Sequence, residues 1–210
     1  NGLKPLLMVL QMAFFKLHPT GKIVHIAPYW VSYKEQTDIL NIPTITLPTT
    51  SSNKWRLTKQ DIIQCFEEHQ LKGTPHLILF TSPNNPTGYA YSKEEMEDFS
   101  SIFQTYGTTV LHDHIYEHIN WTHEPITIKG AIVGSSMSKN FACGGYRCGW
   151  MIFPKELETL RQYCLGIASS MYTCPSTPIQ FSAVKALEMP QDVQEHIKFQ
   201  NKMNKEIEKV

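Results

Sequence analysis

The sequence is short of several things at once. Its longest apolar stretch, Leu6 to Phe15, is well below the about 20 residues that a bilayer-crossing helix needs. That stretch also lacks the basic leader and small-residue cleavage site of a secretory signal. Neither charge is in excess: 19 Lys and Arg balance 19 Asp and Glu. There is thus no bulk field to draw in nucleic acid or anionic lipid. Cysteine is sparse and odd in number, with five residues: Cys65, Cys143, Cys148, Cys164 and Cys174. In a chain too long to need covalent staples these read as reduced thiols, which points to the cytoplasm, with an organelle matrix as the other compartment that fits. Internal repeats are lacking, and only Thr49 to Asn53 approaches low complexity.

What remains is an ordinary globular mixture: 210 residues, 41% hydrophobic and 18% charged. That length accommodates one domain, or one plus a fragment, with a real core. Both ends look cut. The chain begins at Asn1 and enters an apolar segment within a few residues. Gln191 to Val210 reads as one amphipathic helix that stops without Gly or Pro punctuation. The expectation is a piece of a longer protein.

Patterning divides the chain into alternating elements. Leu3 to Leu17 is apolar nearly all round, as in a buried helix. Short β-branched and aliphatic runs at Lys22–Ala27, Thr44–Leu47, His76–Phe80, Thr108–His112, Ala131–Gly134 and Gly149–Phe153 read as strands. Leu57 to His69 reads as a helix, and Ser92 with Glu95 forms a capping box for another that runs through Phe103. Strands alternating with helices predict an α/β domain with a largely parallel sheet. Ligands of such sheets sit in the loops that follow the strands, and every unusual cluster of this sequence falls there. These clusters are Pro28-Tyr29-Trp30, Ser82-Pro83-Asn84-Asn85-Pro86-Thr87-Gly88, Asp113-His114-Ile115-Tyr116 and Ser136-Met137-Ser138-Lys139.

Taken singly, each cluster has two readings. Lys139, flanked by small hydroxyls and glycines, has the surroundings of an amine that forms an imine with an aldehyde cofactor. Arg147, Ser136 and Ser138 have the donors for a phosphate. The plain alternative is an exposed lysine in a polar turn. Asp113 suits a pyridine nitrogen that must stay protonated and Tyr116 a ring oxygen; otherwise they cap a turn and pack on the core. Asn84 to Gly88 is a rigid turn whose asparagine amide can donate to a ring oxygen, and such dipeptides mark turns everywhere.

In order and spacing, the four clusters together, with Arg147-Cys148-Gly149-Trp150 beyond the last, resemble the fold-type-I pyridoxal-phosphate enzymes of the class I/II aminotransferase family. The nearest likeness is to the bacterial-type aspartate and aromatic aminotransferases. The resemblance implies a three-layer large domain over residues 1–190, with a mostly parallel sheet between helices. Residues 191–210 would form the helix leading toward a small domain. It also implies pyridoxal 5'-phosphate as cofactor, amino acid and 2-oxo acid substrates, and a homodimer, with no nucleic acid or membrane partner. The reaction would be transfer of an amino group between an L-amino acid and a 2-oxo acid through a Schiff base on Lys139.

Residue by residue, the resemblance makes Lys139 the Schiff-base lysine and the proton carrier. Asp113 would pair with the pyridine nitrogen, Tyr116 and Asn85 with the ring 3-oxygen, and Trp30 would stack on the ring. Asn85 would also help hold the substrate carboxylate. Ser136, Ser138 and Arg147 would bind phosphate, and Gly2-Leu3-Lys4 would start a helix whose N–H groups complete the cradle. The glycines at 144, 145 and 149 allow the backbone to come close there.

Some positions depart from the family. His114 stands where Glu is usual; since strand neighbours face opposite ways, it is expected to look away from the cofactor. Cys143, Gly144 and Tyr146 vary a loop without changing the Lys139 to Arg147 spacing. The chain covers roughly half of a typical member. It lacks the upstream tyrosine that reaches the partner's phosphate and the downstream arginine that clamps the substrate carboxylate, and neither Arg56 nor Arg161 has a motif claim to that role. The alternatives are a truncated, non-catalytic cofactor-binding fragment or paralogue, and a carbon–sulfur lyase or cyclopropane-forming synthase of the same fold. His112, His114, His118 and His123 lie close in sequence but lack the convergent spacing of a zinc site, so no metal is assigned. A redox role for Cys143 and Cys148, and base stacking by Phe14, Phe15, Tyr29, Trp30 and Tyr33, are set aside for packing. Ser169 to Thr173 is the one segment that the resemblance brings near a neighbouring subunit.

Overall fold

A computed structural model of the chain describes residues 1–121 and 125–208. Its strands are β1 (Lys22–Ala27), β2 (Thr44–Pro48), β3 (His76–Thr81), β4 (Thr109–Asp113), β5 (Ile132–Ser136) and β6 (Gly149–Ile152). Its helices are α1 (Leu3–Leu17), α2 (Val31–Ile39), α3 (Lys59–Glu68), α4 (Lys93–Tyr106), α5 (Met137–Asn140), α6 (Glu158–Met171), α7 (Thr177–Leu187) and α8 (Gln191–Ile207). The strands form one sheet in the order β2-β1-β3-β4-β5-β6. All neighbours are parallel except β5 and β6, which pair antiparallel. The chain leaves β1 toward β2 and returns on its other side as β3. Such a reversal opens a crevice at the carboxyl ends of the strands.

Strand parity sorts the core into two layers. Ile23, Leu77, Leu79, Leu111 and Ile132 face one side, where they meet Leu3, Leu7, Leu10, Ala13 and Phe14 of α1 and Leu160 and Cys164 of α6. Val24, Ile45, Ile78, Phe80 and Val110 face the other, against Ile62 and Phe66 of α3 and Met96, Phe99 and Phe103 of α4. The same period of two carries Thr81, Asp113 and Ser136, the last residues of their strands, onto the α1 side. Two capping boxes, Thr58 with Asp61 and Ser92 with Glu95, start α3 and α4. Gly107, at φ 67°, ends α4 in the left-handed conformation.

The three-layer, mostly parallel architecture expected from the sequence is the one observed. Three helices went unanticipated, and in α2 and α7 the buried faces carry little apolar periodicity. α2 buries Ser32, Tyr33, Gln36 and Thr37, and Gln36 accepts from Gln11 Nε2 of α1 at 2.7 Å and donates to the Lys4 carbonyl at 3.0 Å. α6 buries only Leu160 and Cys164, and α7 only Ala183. β5 extends two residues beyond the expected Gly134, so Ser136 ends a strand, and Lys139 rides a one-turn helix in place of an open turn. α8 has the amphipathic pattern expected, yet it buries only Ile197 and leaves Phe199, Met203 and Ile207 exposed. Asn201 Nδ2 donates to the His118 carbonyl at 2.8 Å, tying α8 to the loop after β4. No helix among the described residues is long and apolar enough to cross a membrane.

Phe80 is 1% exposed and makes edge contacts with Phe99 and His112 and a tilted one with Tyr91. Phe80→Ala is expected to lower unfolding stability by about 3–5 kcal/mol in urea titrations. Phe181→Ala, at a side chain 72% exposed, is expected to stay within about 0.5 kcal/mol of the parent.

Candidate functional site

A cavity of about 270 Å³ opens at the carboxyl ends of β3, β4 and β5. Trp30, the N-cap of α2, Tyr33 within that helix, Thr81 of β3, Asn85 of the loop after it, Asp113, Ile115 and Tyr116 at the end of β4, and Ser136, Ser138 and Lys139 line it. Leu3 and Lys4 of α1, with Gly144 and Arg147 from the loop before β6, complete the wall. Every residue expected to touch a cofactor is thus at this cavity, with Gly2 at its edge as the N-cap of α1.

Asp113 is its electrostatic centre. The side chain is buried, and loss of water pushes its pKa up to about 6, against the pull of hydrogen bonds from Tyr33 and the Ile115 N–H and of the neighbouring His114. Tyr33 donates its hydroxyl to Oδ2 at 2.6 Å, and the Ile115 N–H donates to Oδ1 at 3.2 Å. A buried carboxylate held by a few donors beside an open cavity is arranged to receive a cationic N–H. On the same side, Asn85 Nδ2 donates to the Tyr116 hydroxyl at 3.2 Å. Burial and the charge of Asp113 hold the Tyr116 phenol above its ordinary pKa, so it remains a neutral donor. The Asn85 loop is shaped by Asn84, whose carboxamide oxygen accepts from the Thr87 N–H at 3.1 Å and the Thr87 hydroxyl at 2.9 Å.

The opposite end of the cavity is a cationic cradle. Gly2, at φ 83°, leads into α1, whose first N–H groups have no partner inside the helix. Arg147 stands at φ 54° after a short helical turn, which swings its guanidinium back over Gly2, where an added Cβ would lie 3.0 Å from Arg147 Cζ. The guanidinium donates to the Gly144 carbonyl at 2.6 Å and to the Asn1 carbonyl at 3.4 Å. The Ser136 hydroxyl accepts from the Ser138 N–H at 3.2 Å. Helix N-terminus, guanidinium and two hydroxyls make a donor set suited to a phosphate dianion. Lys4 Nζ lies 4.7 Å from the centroid of the Trp30 ring, and Lys139 is exposed at the mouth.

A carboxylate at one end, an anion cradle at the other, a flat ring at the side and a primary amine at the mouth fit pyridoxal phosphate in chemistry and in order. Sequence reasoning missed Tyr33 and Thr81. Tyr33 lies in the first turn of α2, just after its N-cap Trp30, a signal available only once α2 is recognised. Thr81 faces Asp113 through the parallel register of β3 and β4, which no local pattern discloses.

His114 faces away from the cavity. Its ring stacks on His112 at 4.6 Å, and its Nδ1 lies 3.1 Å from Glu117. Glu117 in turn accepts from Ser135 Oγ at 3.2 Å and Asn140 Nδ2 at 3.1 Å. Among the described residues no group of three His, Cys, Asp or Glu is placed to hold a metal ion; His123 lies outside the described residues.

Residues 5–210 match the family model described as aminotransferase class I and II. The chain is 28% identical over 166 residues to an aspartate aminotransferase of Musicola paradisiaca, covering 73% of this chain and 40% of that protein. It is 29% identical over 196 residues to a bifunctional aspartate aminotransferase and glutamate/aspartate-prephenate aminotransferase of Petunia hybrida, covering 89% and 39%. The crystal structure of the aspartate aminotransferase from Rhizobium meliloti superposes with a TM-score of 0.80 at 26% identity, over 97% of this chain and 50% of that one. The chain therefore spans about half or less of the length of these relatives.

Gly149 is where the cradle closes. A Cβ built there would sit 2.6 Å from the Leu3 nitrogen and 2.7 Å from the Gly2 carbonyl carbon, both backbone atoms with no room to give. Gly149→Ala is expected to cost about 1–3 kcal/mol by overpacking. Gly145→Ala, with open space around it, is expected to change stability by under about 0.5 kcal/mol. Denaturation midpoints of the two variants measured side by side test this.

Proposed function

The chain belongs to the aminotransferase class I and II family, and on that premise we propose that it is the cofactor-binding portion of an enzyme that transfers an amino group between an L-amino acid and a 2-oxo acid. Members of the family use pyridoxal phosphate, and the observation that carries the reading here is the single cavity joining Asp113, Lys139 and the Arg147 cradle. When bound, that cofactor supplies an aldehyde carbon for the amino group and a protonated ring that withdraws electrons from the substrate's α-carbon.

The chain's own residues divide the remaining work. Asp113 holds a proton on the ring nitrogen through its charge. Tyr116 and Asn85 donate to the ring oxygen, and Trp30 covers one ring face. Arg147, Ser136, Ser138 and the first N–H groups of α1, at Gly2, Leu3 and Lys4, hold the phosphate. Lys139 supplies the amine that would hold the cofactor's aldehyde carbon and the base that would carry the proton at the substrate α-carbon. Asn85 also reaches the substrate carboxylate.

We extend the proposal to the rest of the enzyme. Residues 1–190 form the cofactor domain, and α8 leads from it toward a second, smaller domain. The end of α6 at Ser169 to Thr173 faces a second subunit in a homodimer; exposed Leu165 and Met171 on that helix support this. Five free cysteines support a cytoplasmic location. The three arginines bear on activity. Arg147 belongs to the cradle, Arg56 pairs with Glu95 at 2.6 Å and Arg161 with Glu158 at 2.7 Å. No second arginine is among the cavity's lining residues, and this favours a chain that binds cofactor but by itself turns over little or no amino acid.

Borohydride treatment of the chain after addition of pyridoxal phosphate is expected to leave the cofactor covalently on the peptide containing Lys139, read by mass spectrometry. Lys139→Ala is expected to abolish that adduct. Absence of an adduct in the parent chain, or an unchanged one in the variant, would overturn the assignment. Asp113→Asn is expected to weaken cofactor binding about tenfold to a hundredfold, the worth of a hydrogen bond to a charged group, in a fluorescence titration. Efficient turnover of amino and 2-oxo acid pairs by the 210-residue chain would refute the expectation of little activity, and release of pyruvate and ammonia would point instead to the lyase chemistry.

A further inference from the structure

Tyr33 has no part in the roles assigned so far, yet its hydrogen bond to Asp113 is the shortest made by any residue lining the cavity except that of the Arg147 guanidinium, at the same 2.6 Å. The side chain is 3% exposed and lies edge-on to Trp30, with ring centroids 5.6 Å apart. Burial, then the neighbouring Asp113 charge, holds the phenol well above its ordinary pKa, so it stays protonated. A phenol has one hydrogen, and at 2.6 Å that hydrogen goes to Asp113 Oδ2. The oxygen of Tyr33 then has only acceptor capacity left for Thr81 Oγ1, 2.8 Å away. This makes the direction of the chain unambiguous: Thr81 donates to Tyr33 and Tyr33 donates to Asp113. The Tyr33 hydroxyl from α2 thus meets one carboxyl oxygen, with Thr81 of β3 behind it, and the Ile115 N–H meets the other.

The other titratable groups that act on Asp113 are His114 and Tyr116, both from the segment following β4; Lys139 lines the same cavity. His114 is on the far face of the sheet, turned toward Glu117. Of the groups that touch the carboxyl, Tyr33 is the side chain that donates to it directly. We propose that Tyr33, polarised by Thr81, is a positioning residue that keeps the Asp113 carboxyl ionised and aimed into the cavity. In an apolar pocket a carboxyl without a donor takes up a proton instead, and a protonated Asp113 cannot hold a cationic ring N–H. The consequence for cofactor binding rests on the reading given under Proposed function; the consequence for Asp113 itself does not.

The two are separated by titrating Asp113 in the cofactor-free chain with carboxyl carbon NMR after 13C labelling of aspartate, the signal being assigned through its loss in Asp113→Asn. Tyr33→Phe keeps the ring and its contacts and removes the donor. It is expected to raise the Asp113 pKa by about one to two units, which is tenfold to a hundredfold in proton affinity. Thr81→Val is expected to raise it by less. In parallel, pyridoxal phosphate affinity at pH 7, read by quenching of protein fluorescence, is expected to fall about tenfold in Tyr33→Phe. An unchanged or lowered Asp113 pKa in both variants overturns the inference. Should circular dichroism find Tyr33→Phe unfolded, Thr81→Val alone decides it, by the same upward shift or its lack. If the pKa shifts appear while the parent chain binds no pyridoxal phosphate, the cofactor reading fails and the role of Tyr33 toward Asp113 stands.

Discussion

A carboxyl group taken out of water at the end of a central strand is the constraint around which this molecule is arranged. Burying Asp113 costs free energy unless donors meet it, and the donors come from three places far apart in sequence: the α2 phenol, the hydroxyl at the end of β3 behind it, and the backbone just beyond β4. The neighbours in the sheet therefore matter as much as the aspartate. α2 must be held so that Tyr33 reaches across, which is the work of the Gln36 to Gln11 and Gln36 to Lys4 bonds joining it to α1. α1 in turn presents its N-terminus to the cradle. Helix α2 thus touches both ends of the cavity, Asp113 through Tyr33 and the start of α1 through Gln36.

The cradle depends on backbones coming close. Gly2 and Gly149 let α1, β6 and the Arg147 loop meet at distances that no Cβ would permit, and Arg147 accepts a left-handed conformation to point its guanidinium there. Strain of that kind persists where the surroundings hold it in place, and such places are commonly functional. Here the strained residue carries the cation that the site needs.

One position singled out in the sequence, His114, lies on the other face of the sheet, turned toward Glu117. His114 Nδ1 lies 3.1 Å from Glu117, whose carboxyl is partly buried there. Burial would push that carboxyl up, but the bonds and charge of His114, the nearby His118 and the Ser135 hydroxyl together hold it below its ordinary range. The same carboxylate also binds Asn140, next to the cavity's lysine. Glu117 thus makes a polar tie among the segment after β4, β5 and α5 on the face away from the site.

Much of this was legible in the sequence because it is local. Strand parity placed Asp113 and His114 on opposite faces, a capping box located the start of α4, and four motifs after four strands marked the site and the family it resembles. Of the helices that sequence reasoning passed over, α2 buries mainly polar residues and α7 only Ala183, so hydrophobic periodicity had little to register there. What only the tertiary structure decided is register and direction. Thr81 stands opposite Asp113 because β3 and β4 pair in one parallel alignment, and Tyr33 reaches both because α2 packs across the ends of those strands. Residue type and spacing set which groups are available. Which of them share a proton depends on distances of a few tenths of an ångström between segments some 30 to 80 residues apart, and those are settled by packing alone.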